Sequence, residues 1–99
     1  MKQLTSLIWE IATEILGDEP DTGGCAPFCS PEEWKKRGEE YGEGAKLIVV
    51  HDGGDLASLF NWAYGNYPFV NEMSEALEKH GYFAEQLNSW STGIYERGE

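Results

Sequence analysis

The run His51-Asp52-Gly53-Gly54-Asp55 holds the side chains best suited to chemistry in this 99-residue chain. An imidazole between carboxylates could serve as a general base with its orienting group, or hold a cation, and the glycines would admit a close backbone approach. Metal-dependent phosphohydrolysis would need further His and Asp ligands from separate helices. The only other histidine, His80, falls at a predicted helix C-terminus, where the helix dipole stabilises an imidazolium. A second candidate set is Cys25, Cys29, His51 and His80, since thiolate and imidazole are the usual ligands of zinc. The cysteines are four residues apart, but the histidines are 29 apart and on different elements, unlike the paired knuckles of a structural zinc site. Packing is therefore the first reading of the thiols, a disulfide around Pro27 the second and zinc the last. No Gly-x-Ser-x-Gly elbow is present, Ser58 lies inside a predicted helix, and Gly53-Gly54 lacks the lysine and longer glycine pattern of a phosphate loop. Architecture accounts for the whole run: Val50 ends a strand, the glycines turn the chain, and Asp55 caps the next helix.

The elements that would carry these residues follow from hydrophobic spacing. Leu4, Leu7, Ile8, Ile11, Ile15 and Leu16 recur at three- and four-residue steps, which predicts a helix capped by Thr5 or Ser6 and closed by Gly17. Trp9 falls off the stripe, either exposed or widening the buried face. Residues Asp18 to Ser30 read as a loop dense in Pro, Gly and Asp. Ser30-Pro31-Glu32-Glu33 is a capping box with proline at the first helical position, and Trp34, Arg37 and Tyr41 share a side before Gly42 and Gly44. Leu47-Ile48-Val49-Val50 predicts a buried central strand. One helix is expected over Asp55–Ala63 and another over about Pro68–His80, with Phe69, Met73, Ala76 and Leu77 inward and Glu72, Glu75 and Glu78 outward. Tyr82–Leu87 and Ser91–Glu96, separated by Asn88-Ser89-Trp90, read as a hairpin. The expected fold is a single α+β domain over residues 1–99. Its small three-stranded, mainly antiparallel sheet pairs the first strand with the hairpin and packs against three to four helices.

Composition narrows the function classes. Eighteen Asp and Glu against seven Lys and Arg give a net charge of −11, which argues against direct binding to nucleic acid or to an anionic membrane. Four Trp, five Tyr and four Phe are enough to build an interior, so the charge does not imply disorder. Met1 to Ser6 lacks the pattern of a signal peptide, and Leu4–Leu16 is too short and too interrupted by Glu10 and Glu14 to cross a bilayer. A cytoplasmic setting, with reduced thiols, is the expectation. Most of the aromatic group Phe60, Trp62, Tyr64, Tyr67 and Phe69 reads as core. Trp62 and Trp90, flanked by Asn61 and by Asn88-Ser89, are the better candidates for a partly exposed binding patch.

The acidic tract Asp18-Glu19-Pro20-Asp21, then Glu32, Glu33, Glu39, Glu40 and Glu43, then Glu72, Glu75 and Glu78, gives the chain a resemblance. In size and acidity it is similar to the small acidic accessory proteins of bacteriophages and mobile elements, the anti-CRISPR proteins and DNA mimics. The resemblance implies a non-enzymatic inhibitor that binds a basic protein or ribonucleoprotein surface, such as that of a CRISPR effector, in the cytoplasm of a bacterial host. No cofactor or metal would be needed. The partner-binding residues would then be Asp18, Glu19, Asp21, Glu32, Glu33, Glu39, Glu40, Glu43, Asp52, Asp55, Trp62 and Trp90. Two other readings remain: a small metal- or phosphate-dependent enzyme using His51, Asp52 and Asp55, and a housekeeping interaction module. The module would be homodimeric through Leu4–Leu16 or a free sheet edge.

Overall fold

The computed structural model describes residues 2–21, 26–38, 44–51 and 54–97. Among these the elements run α1 (Lys2–Leu16), β1 (Phe28–Cys29), α2 (Pro31–Lys36), β2 (Leu47–Val50), α3 (Ala57–Phe60), a 3-10 turn (Trp62–Tyr64), α4 (Tyr67–Lys79), β3 (Tyr82–Asn88) and β4 (Ser91–Glu96). The class is α+β, with one antiparallel sheet in the order β1-β2-β4-β3. The expected three strands become four among the described residues. The addition, β1, is a two-residue strand inside the segment read as loop, and it exists because β2 offers it a partner: Phe28 lies opposite Val49 and Cys29 opposite Ile48. As expected, the first long strand joins the terminal hairpin, with Leu47 opposite Ile94 and Val50 opposite Ser91.

Strand β2 decides the layering. Alternate residues point to opposite faces of a strand, yet Leu47, Ile48 and Val49 are all fully buried. Both faces therefore need a cover. Leu47, Val49 and Ile94 meet Leu4, Ile8, Ile11 and Ala12 of α1, Leu59 and Phe60 of α3, and Met73 and Leu77 of α4. On the opposite face Ile48 meets Cys29, Trp34 of α2 and Ala45, with Val50, Leu87, Trp90 and Tyr95 around them. Helices thus cover both faces of the sheet. Trp34 and Trp90 pack with ring centroids 5.4 Å apart, and the Arg37 guanidinium lies over both, 5.2 Å and 5.7 Å from their centroids. Trp9 widens the first core, meeting the Phe28 ring edge-on at 6.4 Å.

Helix boundaries show where local rules hold and where they yield. α2 starts at the predicted capping box: Glu33 N–H donates to Ser30 Oγ at 3.1 Å, and Ser30 N–H donates to Glu33 Oε1 at 3.2 Å. It ends sooner than the sequence suggests, at Lys36, because Gly38 takes a left-handed conformation with φ of 84° and donates back to Lys35. Tyr41 lies outside the described residues. α1 begins at Lys2, ahead of Thr5 and Ser6, so neither is its cap. The expected Asp55–Ala63 helix is divided, since Asn61 is extended (φ −97°, ψ 109°) and its side chain takes the Ala63 N–H at 2.9 Å. A short amide that offers the backbone such a bond competes with the helix.

The hairpin turns without glycine. Asn88 Oδ1 accepts from Trp90 N–H at 3.0 Å and from Ser91 Oγ at 2.8 Å, and a bulge between Gln86 and Asn88 adjusts the twist. The one strand glycine that its surroundings demand is Gly93: a Cβ there would stand 2.9 Å from the Tyr95 ring, which lies across it. The second layer should contribute to stability like any core. Trp34→Ala is expected to cost about 3–5 kcal/mol in urea unfolding, whereas the exposed Trp62→Ala should stay within about 0.5 kcal/mol. A Trp34 loss below about 1 kcal/mol would show that α2 is not part of the cooperative unit.

Candidate partner-binding surface

His51, the centre of the enzymatic reading, is a core residue. It is 1% exposed, its Nε2 lies 2.9 Å from the buried Thr92 Oγ1, and its ring stacks on Phe60 with centroids 6.0 Å apart. Its backbone N–H donates to Trp90 C=O at 2.8 Å, extending the β2–β4 ladder by one residue. The reason is positional: the residue after Val50 on a strand buried on both faces must also be accommodated, and Thr92 gives the imidazole a polar partner.

Asp55 does not cap α3. Leu56 occupies the cap position without a side-chain bond, and the Asp55 carboxylate accepts instead from Asp21 N–H at 2.9 Å. Asp55 N–H donates in turn to Asp21 C=O. This reciprocal pair ties the acidic segment Asp18–Asp21 to the start of α3, with Pro20 buried beneath it. Asp52 lies outside the described residues, as does Cys25, so the pairing of the thiols is not described either. Cys29 is buried in the second core, its thiol 3.5 Å from Ser30 C=O, and His80 Nδ1 lies 3.0 Å from Ala76 C=O on the surface. Among the described residues no three His, Cys, Asp or Glu side chains are grouped to hold a metal ion.

The described members of the candidate binding set fall in four places. Asp18, Glu19, Asp21 and Asp55 are exposed around the reciprocal pair, and Asp18 Oδ1 accepts from Glu19 N–H at 2.8 Å. Glu32 and Glu33 are exposed on the first turn of α2, where Glu33 is committed to the capping box. They share that helix with Lys35 and Lys36, which with the adjacent Arg37 make three of the chain's seven cations. Glu39, Glu40 and Glu43 lie outside the described residues. The two tryptophans part company. Trp90 is half-buried against Trp34 and roofed by Arg37, so its place is in the second core. Trp62 is 45% exposed and faces Tyr67, itself 54% exposed, at 5.8 Å between centroids.

The structure also assembles carboxylates that linear spacing leaves apart. Glu14 of α1 and Glu72 and Glu75 of α4 line one groove between the two helices, together with Ile11, Ile15, Ala76 and Lys79. The outward placement of Glu72 and Glu75 was the available signal; that α1 would bring Glu14 beside them depends on helix packing. Tyr67, a member of the aromatic group of which most reads as core, is exposed at the first turn of α4.

Among the described residues, no helix is long and apolar enough to cross a membrane. Tyr95 is held above its ordinary value of 10.0, first by burial, then by the negative charge of Glu85 and the hydrogen bond to it. The folded chain keeps this proton more tightly than the unfolded chain. The Tyr95 contribution to stability is therefore complete below about pH 10 and is lost as pH rises through the folded-state value. Absorbance titration, with Tyr95→Phe as the difference, should show Tyr95 ionising above the ordinary value. Glu85→Gln should lower its titration part of the way back, and ionisation at or below the ordinary value would contradict the account. Comparison with protein-family models, with curated proteins and with solved structures finds no match.

Proposed function

We propose that the protein is a non-enzymatic acidic inhibitor of the anti-CRISPR type, encoded by a phage. It binds the basic nucleic-acid-binding surface of a host protein complex, such as a CRISPR effector, and blocks it within the bacterial cytoplasm. The observation that carries this reading is the unequal distribution of charge. Glu14, Glu72 and Glu75 share the α1–α4 groove, and the tied Asp18–Asp21 segment is exposed. Three of the seven cations lie together at the end of α2. Carboxylates held on two packed helices offer a partner fixed negative charges where phosphates would sit, which favours fast, salt-sensitive association.

The alternatives find less support. His51 is enclosed and lies 2.9 Å from Thr92 Oγ1, which gives less support to an enzymatic role for the imidazole. The apolar side of α1 is used in the core, so a dimer through Leu4–Leu16 would have to use the polar side of that helix.

Affinity capture from bacterial lysate, with salt elution and mass-spectrometric identification, tests the proposal. The expected result is a basic nucleic-acid-binding protein that is released as salt shortens the Debye length from about 10 Å at 0.1 M. The triple variant Glu14→Gln/Glu72→Gln/Glu75→Gln should capture at least about tenfold less, the loss expected from removing several charge contacts. Capture that ignores both salt and the triple substitution would overturn the reading, as would failure to retain any basic protein.

A further inference from the structure

We infer that the exposed Trp62–Tyr67 pair is the anchor for this partner and that it receives an arginine side chain. The inference rests on the acidic-inhibitor reading and gives it a specific contact. Trp62 and Tyr67 are exposed, yet their segment is held by buried polar groups. Asn61, 4% exposed, accepts from Ala63 N–H and from Gln86 Nε2 and donates to Ser89 C=O, at 2.9, 3.0 and 2.9 Å. Trp62 N–H donates to Gln86 Oε1 at 3.1 Å, and its C=O accepts from Gly65 N–H at 3.1 Å. Pro68 then fixes the first turn of α4 beside Tyr67. A ring pair carried on a backbone held in this way loses less conformational freedom on binding than one on an untied loop, which favours a hot-spot contact.

The chemistry of the occupant is indicated by a second tilted ring pair containing tryptophan. Trp34 and Trp90 stand 5.4 Å apart at 54°, and Arg37 of the same chain lies over both rings. Trp62 and Tyr67 stand 5.8 Å apart at 41°, a similar spacing and tilt, but among the described residues no cation lies over them. The surrounding sequence favours one from outside. Residues 47–78 contain no Lys or Arg and five carboxylates, Asp52, Asp55, Glu72, Glu75 and Glu78. A planar guanidinium stacks on ring faces more effectively than the compact, strongly hydrated ammonium of lysine, so the pair discriminates in favour of arginine. The occupant is therefore an arginine-bearing segment of a basic protein.

The test uses the full chain, titrated with hexa-arginine and hexa-lysine peptides of equal charge at 50 and 300 mM salt. The indole N–H of Trp62 is followed by ¹⁵N NMR and assigned by its loss in Trp62→Ala. Hexa-arginine should shift this signal and bind about three- to tenfold tighter than hexa-lysine, the range of a partly exposed cation–π contact. Trp62→Ala should abolish the preference while both peptides still bind through charge. Trp62→Phe, which keeps a ring, should retain part of it. The inference is overturned if the Trp62 signal does not move at saturation, or if the preference for arginine survives in Trp62→Ala. Should both peptides then bind equally, and more weakly at 300 mM salt, only the anchor fails and the acidic-surface reading stands. If neither peptide binds at 50 mM salt, both fail.

Discussion

Burial of β2 on both faces is the constraint from which the rest of the structure follows. Leu47, Ile48 and Val49 are enclosed, and fully burying each such side chain is worth about 1.5–3 kcal/mol. A chain of 99 residues must cover both sides of this strand. Three helices cover one side. The other is covered by the six-residue α2, which relies on large side chains rather than length: Trp34 packs on Trp90, and Arg37 spreads over both. Two of the four tryptophans are spent in this way, and among the described residues Trp62, Tyr67 and Phe83 are the large apolar side chains left exposed, the first two facing one another.

The polar interior follows from the same constraint. His51 extends the β2–β4 ladder beyond the apolar run through Trp90 C=O, and its Nε2 lies 2.9 Å from Thr92 Oγ1. Asn61 joins the helical layer to the hairpin through Ser89 and Gln86. Buried donors and acceptors left unmade cost about 1–3 kcal/mol each, so these bonds fix how α3, the 3-10 turn and β3 meet. The same bonds hold the backbone from which Trp62 projects, and core architecture is thereby linked to the surface proposed for the partner.

What the sequence disclosed was local. The α1 stripe, the Ser30–Glu33 capping box, α4 and the hairpin each depend on residues within a few positions of one another, and each is present. What it concealed depends on distant partners. β1 is a strand only because Val49 and Ile48 lie opposite Phe28 and Cys29. The break at Asn61 is stabilised by Gln86, 25 residues away, and Asp55 abandons its capping role for Asp21, 34 residues away. Trp62 could be recognised as an outlier from its position off the apolar side of the predicted helix. The candidate site was harder to read, because Glu14 approaches Glu72 and Glu75 only through the packing of α1 on α4.

The central claim is that carboxylates of this protein occupy the place of phosphates on a basic partner. Equilibrium competition tests it most directly: the captured host protein is loaded with a fluorescent oligonucleotide and titrated with this protein at several salt concentrations. The account predicts mutually exclusive binding, with displacement that weakens steeply as salt rises. A stable ternary complex in which oligonucleotide and protein bind together would contradict it.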